Sequence, residues 1–589
     1  MPTPLDSLVT YIHHNGGGVV LWSGRDPMDL EVDEDGSIRP LLEILRRLLR
    51  EQWAAVVLSY SPSTGLVWDT PDLQRFGVRQ GVLAALQAHK LIQPNGGQVG
   101  GPDQLMQGVW TLLQTPPGTR WPDGKDLRFA LFLPFSEHLV PADTTQASDD
   151  KVRTTEWVWL LATSLAIRQF GHTLILYTPD EGLIAPRVRA VVPLFRIPQP
   201  DREAKARFIK NARERLYPNA VWEGDLDDSG VAYLTANTPN RSIEALLRRS
   251  HVSRCPIRAD ELIHMRLKDV ESIAEGMLTP LEERDVTLRG HTIEHVWDIL
   301  RRIAEGLRRG DPRTPANILL AGAPGVGKTD LACRLAREAG VPCYRVSSPK
   351  SGIVGETERR SALLFRLLDE WAPSVAFIDE FTETFPTDRP EHDLDAGASR
   401  AVLGAMLAFL GDKKRRGRTV FLAATNLPWR LSQALLSRFI IIPVLMPARD
   451  EYPAILATLI AQATGGQAPS PDEPWLRTAA DIFYEKMASP RDMYKALDNA
   501  HLMADRLGPQ EVIQAARDLR QPPISRWSCI YSELWAIRAC SCRAFLPWAK
   551  RPGLPLPDHL KDIVNPETGE IDEERLETRL RELQPFARV

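Results

Sequence analysis

The chain has 589 residues, 43% of them apolar and 25% charged, with a net charge of -4. A length of that order divides into roughly four domains of ~150 residues, or three larger ones, with ample material for their cores. The near balance of charge excludes a globally basic nucleic-acid binder and an acidic disordered chain, and six cysteines without a CxxC pair or a histidine at zinc spacing exclude a disulfide framework.

The N-terminus, MPTPLDSLVTYIHH, has no basic region ahead of an apolar stretch, so no leader peptide is expected. Residues 1–252 then alternate apolar runs (VVLW, AAVVLSY, RFALFLP, HTLILYT) with helical periodicity (SIRPLLEILRRLLREQW, RTTEWVWLLATSLAIRQF), the pattern of a parallel sheet flanked by helices. Residues 253–316, with KDVESIAEGMLTPLE and HTIEHVWDILRRIAEGLRR, read as a helical linker broken by DPRTP.

Asn317 to Leu335, NILLAGAPGVGKTDLACRL, is a buried strand, a glycine-rich loop and the start of a helix. Gly322, Gly325 and Gly327 allow successive N–H groups to point at phosphate oxygens, with the helix N-terminus adding its positive end. The whole stretch Gly322, Ala323, Pro324, Gly325, Val326, Gly327, Lys328, Thr329 and Asp330 is therefore the expected nucleotide cradle. Lys328 would reach the β- and γ-phosphates and Thr329 would hold Mg²⁺. Further on, SVAFIDE ends a strand on Asp379, a metal ligand, and Glu380, a base for the attacking water. TVFLAATN ends the next strand on Asn426, whose amide can orient that water.

Arg438 in LLSRF is one helix later, where a guanidinium could serve the γ-phosphate of a neighbouring subunit, and Arg400 in GASR is a second interface candidate. Arg491 opens a helix of the segment 449–522, helical throughout and expected as a lid. The run FIIIPVLM closes the sheet of the 317–448 core and falls far short of the ~18 residues of a membrane span. Residues 523–589 carry two further helical pieces.

Within the chain, ALFLPFSEHLVP (130–141) lies over VAFIDEFTETFP (375–386) without a gap, so Pro134 and Phe135 fall on Asp379 and Glu380. HTLILYTPD (172–180) parallels RTVFLAATN (418–426), IPQPDRE (197–203) parallels LMPARDE (445–451), and TPNRSIEALLRRSH parallels SPRDMYKALDNAH. Four landmarks in one order suggest two copies of one module, the first stripped of its acids and with its own lid over about 203–252.

GAPGVGKT, FIDE, ATN, LLSRF and a helical lid, in this order, resemble the AAA+ ATPases over about residues 285–520. SGIVGETE resembles the pore-facing loop of the AAA clade, which would put Ile353, Val354 and Gly355 at a central pore, with Ile353 where relatives usually carry an aromatic ring. VVLWSG, YSPSTGLVW, DELIHMRLKDVESIAEGMLTPLE and DAGASRAVLGAMLAFL are similar to chloroplast and cyanobacterial AAA proteins with a degenerate AAA module ahead of an intact one. The resemblance implies a P-loop α/β fold, ATP and Mg²⁺ as cofactors, a homo-oligomeric ring such as a hexamer, and a protein substrate or adaptor. Three readings stay open: a cytoplasmic ATP-driven remodeller of a protein partner, a nucleotide-gated scaffold, and a nucleic-acid motor. Only Lys413, Lys414, Arg415, Arg416 and Arg418 favour the last, and that cluster reads as a solvated loop.

Overall fold

The computed structural model describes residues 4–61, 63–69, 71–93, 101–142, 148–224, 226–281, 289–349, 356–385, 396–504, 506–520 and 523–587. The chain divides into two compact units, Met1–Leu262 and Ile263–Val589.

The first unit is built on β1 (Gly18–Gly24), the hairpin β2 (Leu30–Val32) and β3 (Ile38–Pro40), β4 (Ala55–Ser61), β5 (Gly65–Val67), β6 (Arg128–Leu133), β7 (Thr173–Thr178) and β8 (Leu194–Ile197). Six of these form one sheet in the order β8-β1-β7-β6-β4-β5, parallel except at the β4–β5 edge. Alternate residues of β1 feed opposite cores. Val19 and Leu21 face one, and Val20 and Trp22 face another with α1 (Leu41–Trp53), so both faces are covered and the strands read as continuous apolar runs. Helix α2 (Asp149–Thr163) follows β6. Helices α3 (Arg202–Arg215), α4 (Asp228–Leu234) and α5 (Asn240–Ser253) share a core of Phe208, Ile209, Val231 and Leu247, against which Leu30, Val32 and Ile38 of the hairpin pack. This unit runs past residue 252 because Ile257 bridges to Trp222 and Leu262 joins that core.

The second unit contains β9 (Leu278–Pro280), β10 (Asn317–Ala321), β11 (Cys343–Val346), β12 (Ser374–Ile378), β13 (Thr419–Thr425) and β14 (Ile440–Pro443), ordered β14-β10-β13-β12-β11-β9. Of these strands β9 alone is antiparallel. Helices α6 (His291–Arg309) and α7 (Lys328–Ala339) are amphipathic and both end on a left-handed glycine, Gly310 and Gly340. Helices α8 (Glu356–Glu370) and α9 (Ala396–Gly411) put Leu364, Leu367, Val402 and Met406 against Leu319, Ala376 and Phe421 of the sheet. The lid packs helices α10 (Tyr452–Thr464), α11 (Pro474–Glu485), α12 (Pro490–Met503) and α13 (Pro509–Asp518) around Leu456, Phe483, Leu497 and Val512.

In both units the five parallel strands, numbered along the chain, lie in the order 5-1-4-3-2. Setting Leu133 on Ile378 superposes the registers, with Leu176 on Ala423, Thr178 on Thr425, Gly24 on Gly322 and Ile197 on Val444. The sequence parallels for β7 and β8 are thus one residue out, and Pro179, not Asp180, occupies the position of Asn426. Phe135 and Glu380, at matching positions, both adopt left-handed backbone, φ +57° and +49°. Beyond Gly24 the first unit has the β2–β3 hairpin, anchored by Arg25, which is 1% exposed and bonds Asp29 and Glu31 at 2.6 Å each.

The segment after the lid packs on the rest of the second unit. Helix α14 (Pro523–Arg538) and α15 (Glu573–Leu583) bury Ile530, Tyr531, Leu534, Ile537, Leu576 and Leu580 with Leu445. At about 1.5–3 kcal/mol per buried side chain, this apolar seam rather than any one polar contact holds the segment in place. Ser541 also satisfies the open edge of β14, donating its N–H to the Ile441 carbonyl and accepting from the Ile441 N–H.

All six cysteines are free thiols. Among the described residues no helix is long and apolar enough to cross a membrane.

Candidate nucleotide site

Strand β10, buried on both faces, delivers the chain to Gly322, whose φ of +154° and closeness to the Val444 carbonyl leave no room for a side chain. The loop then doubles back through Gly325, φ +77°, where a Cβ would sit 2.5 Å from Ser489 Oγ and 2.9 Å from Arg491 Cβ. Ser489 is held there by a capping box. Its N–H donates to Asp492 Oδ2, and its hydroxyl accepts from the Asp492 N–H, with Pro490 opening α12. The lid thereby touches the loop at its tightest point, on the same helix that carries Arg491. Gly327 caps α7, and Asp330 in its first turn suits the positive helix end.

Lys328 is 7% exposed, and its ammonium donates to the carbonyls of Gly322 at 2.8 Å and Ala323 at 2.7 Å and to Asn426 Oδ1 at 2.6 Å. Burial pulls it down to about 7, opposed by the Asp379 carboxylate. The lysine and the asparagine are thus brought together from the ends of two adjacent strands. Thr329 Oγ1 is 3.2 Å from Asp379 Oδ2, so the two oxygen donors expected to share a hard cation stand side by side. That pairing and the glycine cradle fit a magnesium-bound triphosphate.

Glu380 follows Asp379 at the turn into the short helix Phe381–Thr384, its left-handed backbone a strained conformation for a non-glycine residue. Partial desolvation raises its pKa, as do the Glu383 and Asp379 carboxylates beside it, the direction a proton acceptor needs. Arg491 is close enough to counter that shift and to lower Lys328 further.

Arg438 is elsewhere. It is exposed two residues before β14, bonds the Ala434 carbonyl at 2.7 Å, and its own carbonyl accepts from Asn317 at the start of β10. Strands β10 and β14 run parallel, so Arg438 is at the opposite end of the sheet from the loop, about 13 Å or more along the strands. Arg400 is exposed on α9. Ile353, Val354 and Gly355 lie outside the described residues. Of the basic cluster, Arg415 is 1% exposed and structural, donating to the Phe409 carbonyl and to Asn317 Oδ1, which leaves the rest a solvated turn.

Several residues at the site are not among those the sequence singles out. A cavity of about 60 Å³ beside Val326 is lined by Ile293, Leu445, Ile455 and Pro490, an apolar niche of the kind a base enters. Its only signal is ordinary core periodicity. Ser489 carries a clearer one, since SPRD is a capping box. The largest groove, about 780 Å³ along α6 and Ile440, contains none of the expected site residues.

Residues 318–444 match the family model described as ATPase family associated with various cellular activities (AAA). Similar proteins include Protein SAV of Sulfolobus acidocaldarius, 37% identical over 123 residues, 20% of this chain and 15% of that protein. Nuclear valosin-containing protein-like of Mus musculus is 38% identical over 125 residues, 21% and 14% of the two chains. A katanin p60 ATPase of the A-like 1 type, from Rattus norvegicus, is 28% identical over 350 residues, 55% and 63%. The matches therefore span 14% to 63% of these relatives' own lengths. With a phosphate loop, an acidic strand end and a strand-end asparagine converging inside the matched region, the chain belongs, through its AAA domain, to the AAA+ ATPases.

Proposed function

We propose that the second unit binds Mg-ATP and hydrolyses it at a site shared between subunits of a ring, and that the cycle remodels a protein partner. Lys328 would hold the β- and γ-phosphates, Thr329 and Asp379 the cation, Glu380 the proton of the attacking water and Asn426 that water's orientation. Bound Mg²⁺ would neutralise charge on the transferring oxygens. The lid would report the nucleotide through Arg491.

The observation that carries the shared site is the position of Arg438. Every other charged group expected at the γ-phosphate converges on the loop, while this guanidinium is exposed at the far end of its own sheet, where it donates to the Ala434 carbonyl. A second copy would bring it to the phosphate, as a guanidinium supplied in trans. The first unit, with the same strand order but Pro134, Phe135 and Pro179 where the second has Asp379, Glu380 and Asn426, would be a degenerate copy serving contacts rather than catalysis. The lid would then span 449–522 and the tail 523–589.

The test uses Glu380→Gln. The variant should keep ATP bound, sediment with ATP as a species larger than the monomer, and hydrolyse at less than about a hundredth of the wild-type rate. Wild-type turnover in the variant, or a monomer at saturating ATP, would reject the reading. A pull-down with this variant in ATP identifies the partner.

A further inference from the structure

The tail closes the site from behind. Three residues on one face of α14, Cys529, Ser532 and Glu533, are directed toward the phosphate-site end of the sheet. Ser532, 1% exposed, donates its hydroxyl to the Asn426 carbonyl at 2.7 Å. Glu533, fully buried, accepts from the Met446 N–H just past the end of β14 and pairs with His559 at 2.7 Å. Cys529, one turn before Ser532, is within electrostatic reach of Lys328 and of Asp492 in the lid. Trp429, three residues after Asn426, meets Tyr531 edge-on at 4.7 Å between ring centroids.

Asn426 is thereby held from both ends. Its side chain meets Lys328, and its carbonyl is tied to the tail, while the next N–H, of Leu427, donates to Thr425 Oγ1. A residue that orients water must be fixed to within a fraction of an ångström, and β13 has ended at Thr425, so no strand ladder holds Asn426. We propose that Ser532 is a positioning residue for hydrolysis, setting the water-orienting Asn426 through its backbone, so that the tail is a working part of the nucleotide site. The inference rests on the proposed hydrolytic reading and adds to it a segment outside the matched AAA region.

The seam of Ile530, Tyr531, Leu534 and Ile537 keeps α14 seated when the hydroxyl is removed, so Ser532→Ala isolates the one contact. The turnover of Ser532→Ala should fall about 3- to 10-fold with KM for ATP within about twofold of wild type. Ser532→Thr, which keeps the hydroxyl, should recover most of the rate. In the Asn426→Ala background Ser532→Ala should have no further effect, whereas a merely structural serine would add its cost in full. Hydrogen exchange supplies a readout independent of turnover: the peptide covering residues 424–430 should exchange faster in Ser532→Ala. Should Ser532→Ala fail to fold, Ser532→Cys, of nearly the same volume and a weak donor, carries the same comparisons. Additive rate effects, or unchanged exchange at 424–430, would overturn the positioning role. Absent turnover in the wild type would instead reject the hydrolytic reading, with the exchange result still deciding whether the tail holds Asn426.

Discussion

Lys328 sits in a place that only a phosphate makes comfortable. Its ammonium is enclosed by two carbonyls and an amide oxygen, none of them charged, and burial brings it down to about 7 from the ordinary 10.5. A bound triphosphate favours the charged form and returns the value upward. The sign follows directly: below pH 7 the ammonium already exists and affinity is independent of it, while above pH 7 binding must take up a proton. Nucleotide affinity should therefore fall by up to about tenfold per pH unit from pH 7 upward. Calorimetric titrations at pH 8 in buffers of different ionisation heat should reveal close to one proton taken up per ATP, and zero uptake would contradict the assignment. Lys328→Ala should abolish both binding and the linkage. The identity of this lysine, with Thr329, Asp379 and Glu380, was plain in the sequence because the chemistry is nearly contiguous: eight residues contain the loop, and the acidic pair ends one apolar strand. The partners of each were not, since Asn426 is 98 positions away from the ammonium it meets.

At the level of elements, the lid hinge depends on one buried carboxylate. Glu451, 4% exposed, accepts from the N–H and hydroxyl of Thr292 at 2.8 and 2.7 Å and from the Ala448 N–H at 2.5 Å, tying the start of α6 to the entry of α10. Glu451→Ala would strand three buried donors, a loss on the order of 3 kcal/mol. The melting temperature of the protein should fall by about 5–10 °C, and a shift below 2 °C would mean that the hinge is held by other contacts. The sequence located the lid from helical periodicity but not this tie, because a glutamate at a helix start reads as a solvated N-terminal charge. The same limit explains the one-residue offset in β7 and β8: apolar runs of six residues slide along one another in a sequence comparison, and pairing with Gly18–Ser23 and Leu21–Gly24 chooses the register.

For the whole molecule the test is one of complementation. If each site combines Lys328 of one protomer with Arg438 of another, then Lys328→Ala and Arg438→Ala should each be nearly inactive alone. Mixed in equal amounts and allowed to exchange, they should recover about a quarter of wild-type turnover, because one interface in four pairs two intact halves. No recovery after verified exchange would mean that Arg438 does not act across an interface.

The sequence by itself determined the chemistry of the phosphate loop, the acidic strand end and the α/β class, because those depend on residues close together in the chain and on periodicities of two and 3.6. Tertiary structure alone decided that Arg438 faces away from its own site, that Ser532 in the tail grips Asn426, and that a hairpin anchored by the buried Arg25 follows β1 where the second unit has its loop. Each of these is a contact or a distance between groups far apart in sequence, set by packing of whole elements, and packing has no local signature.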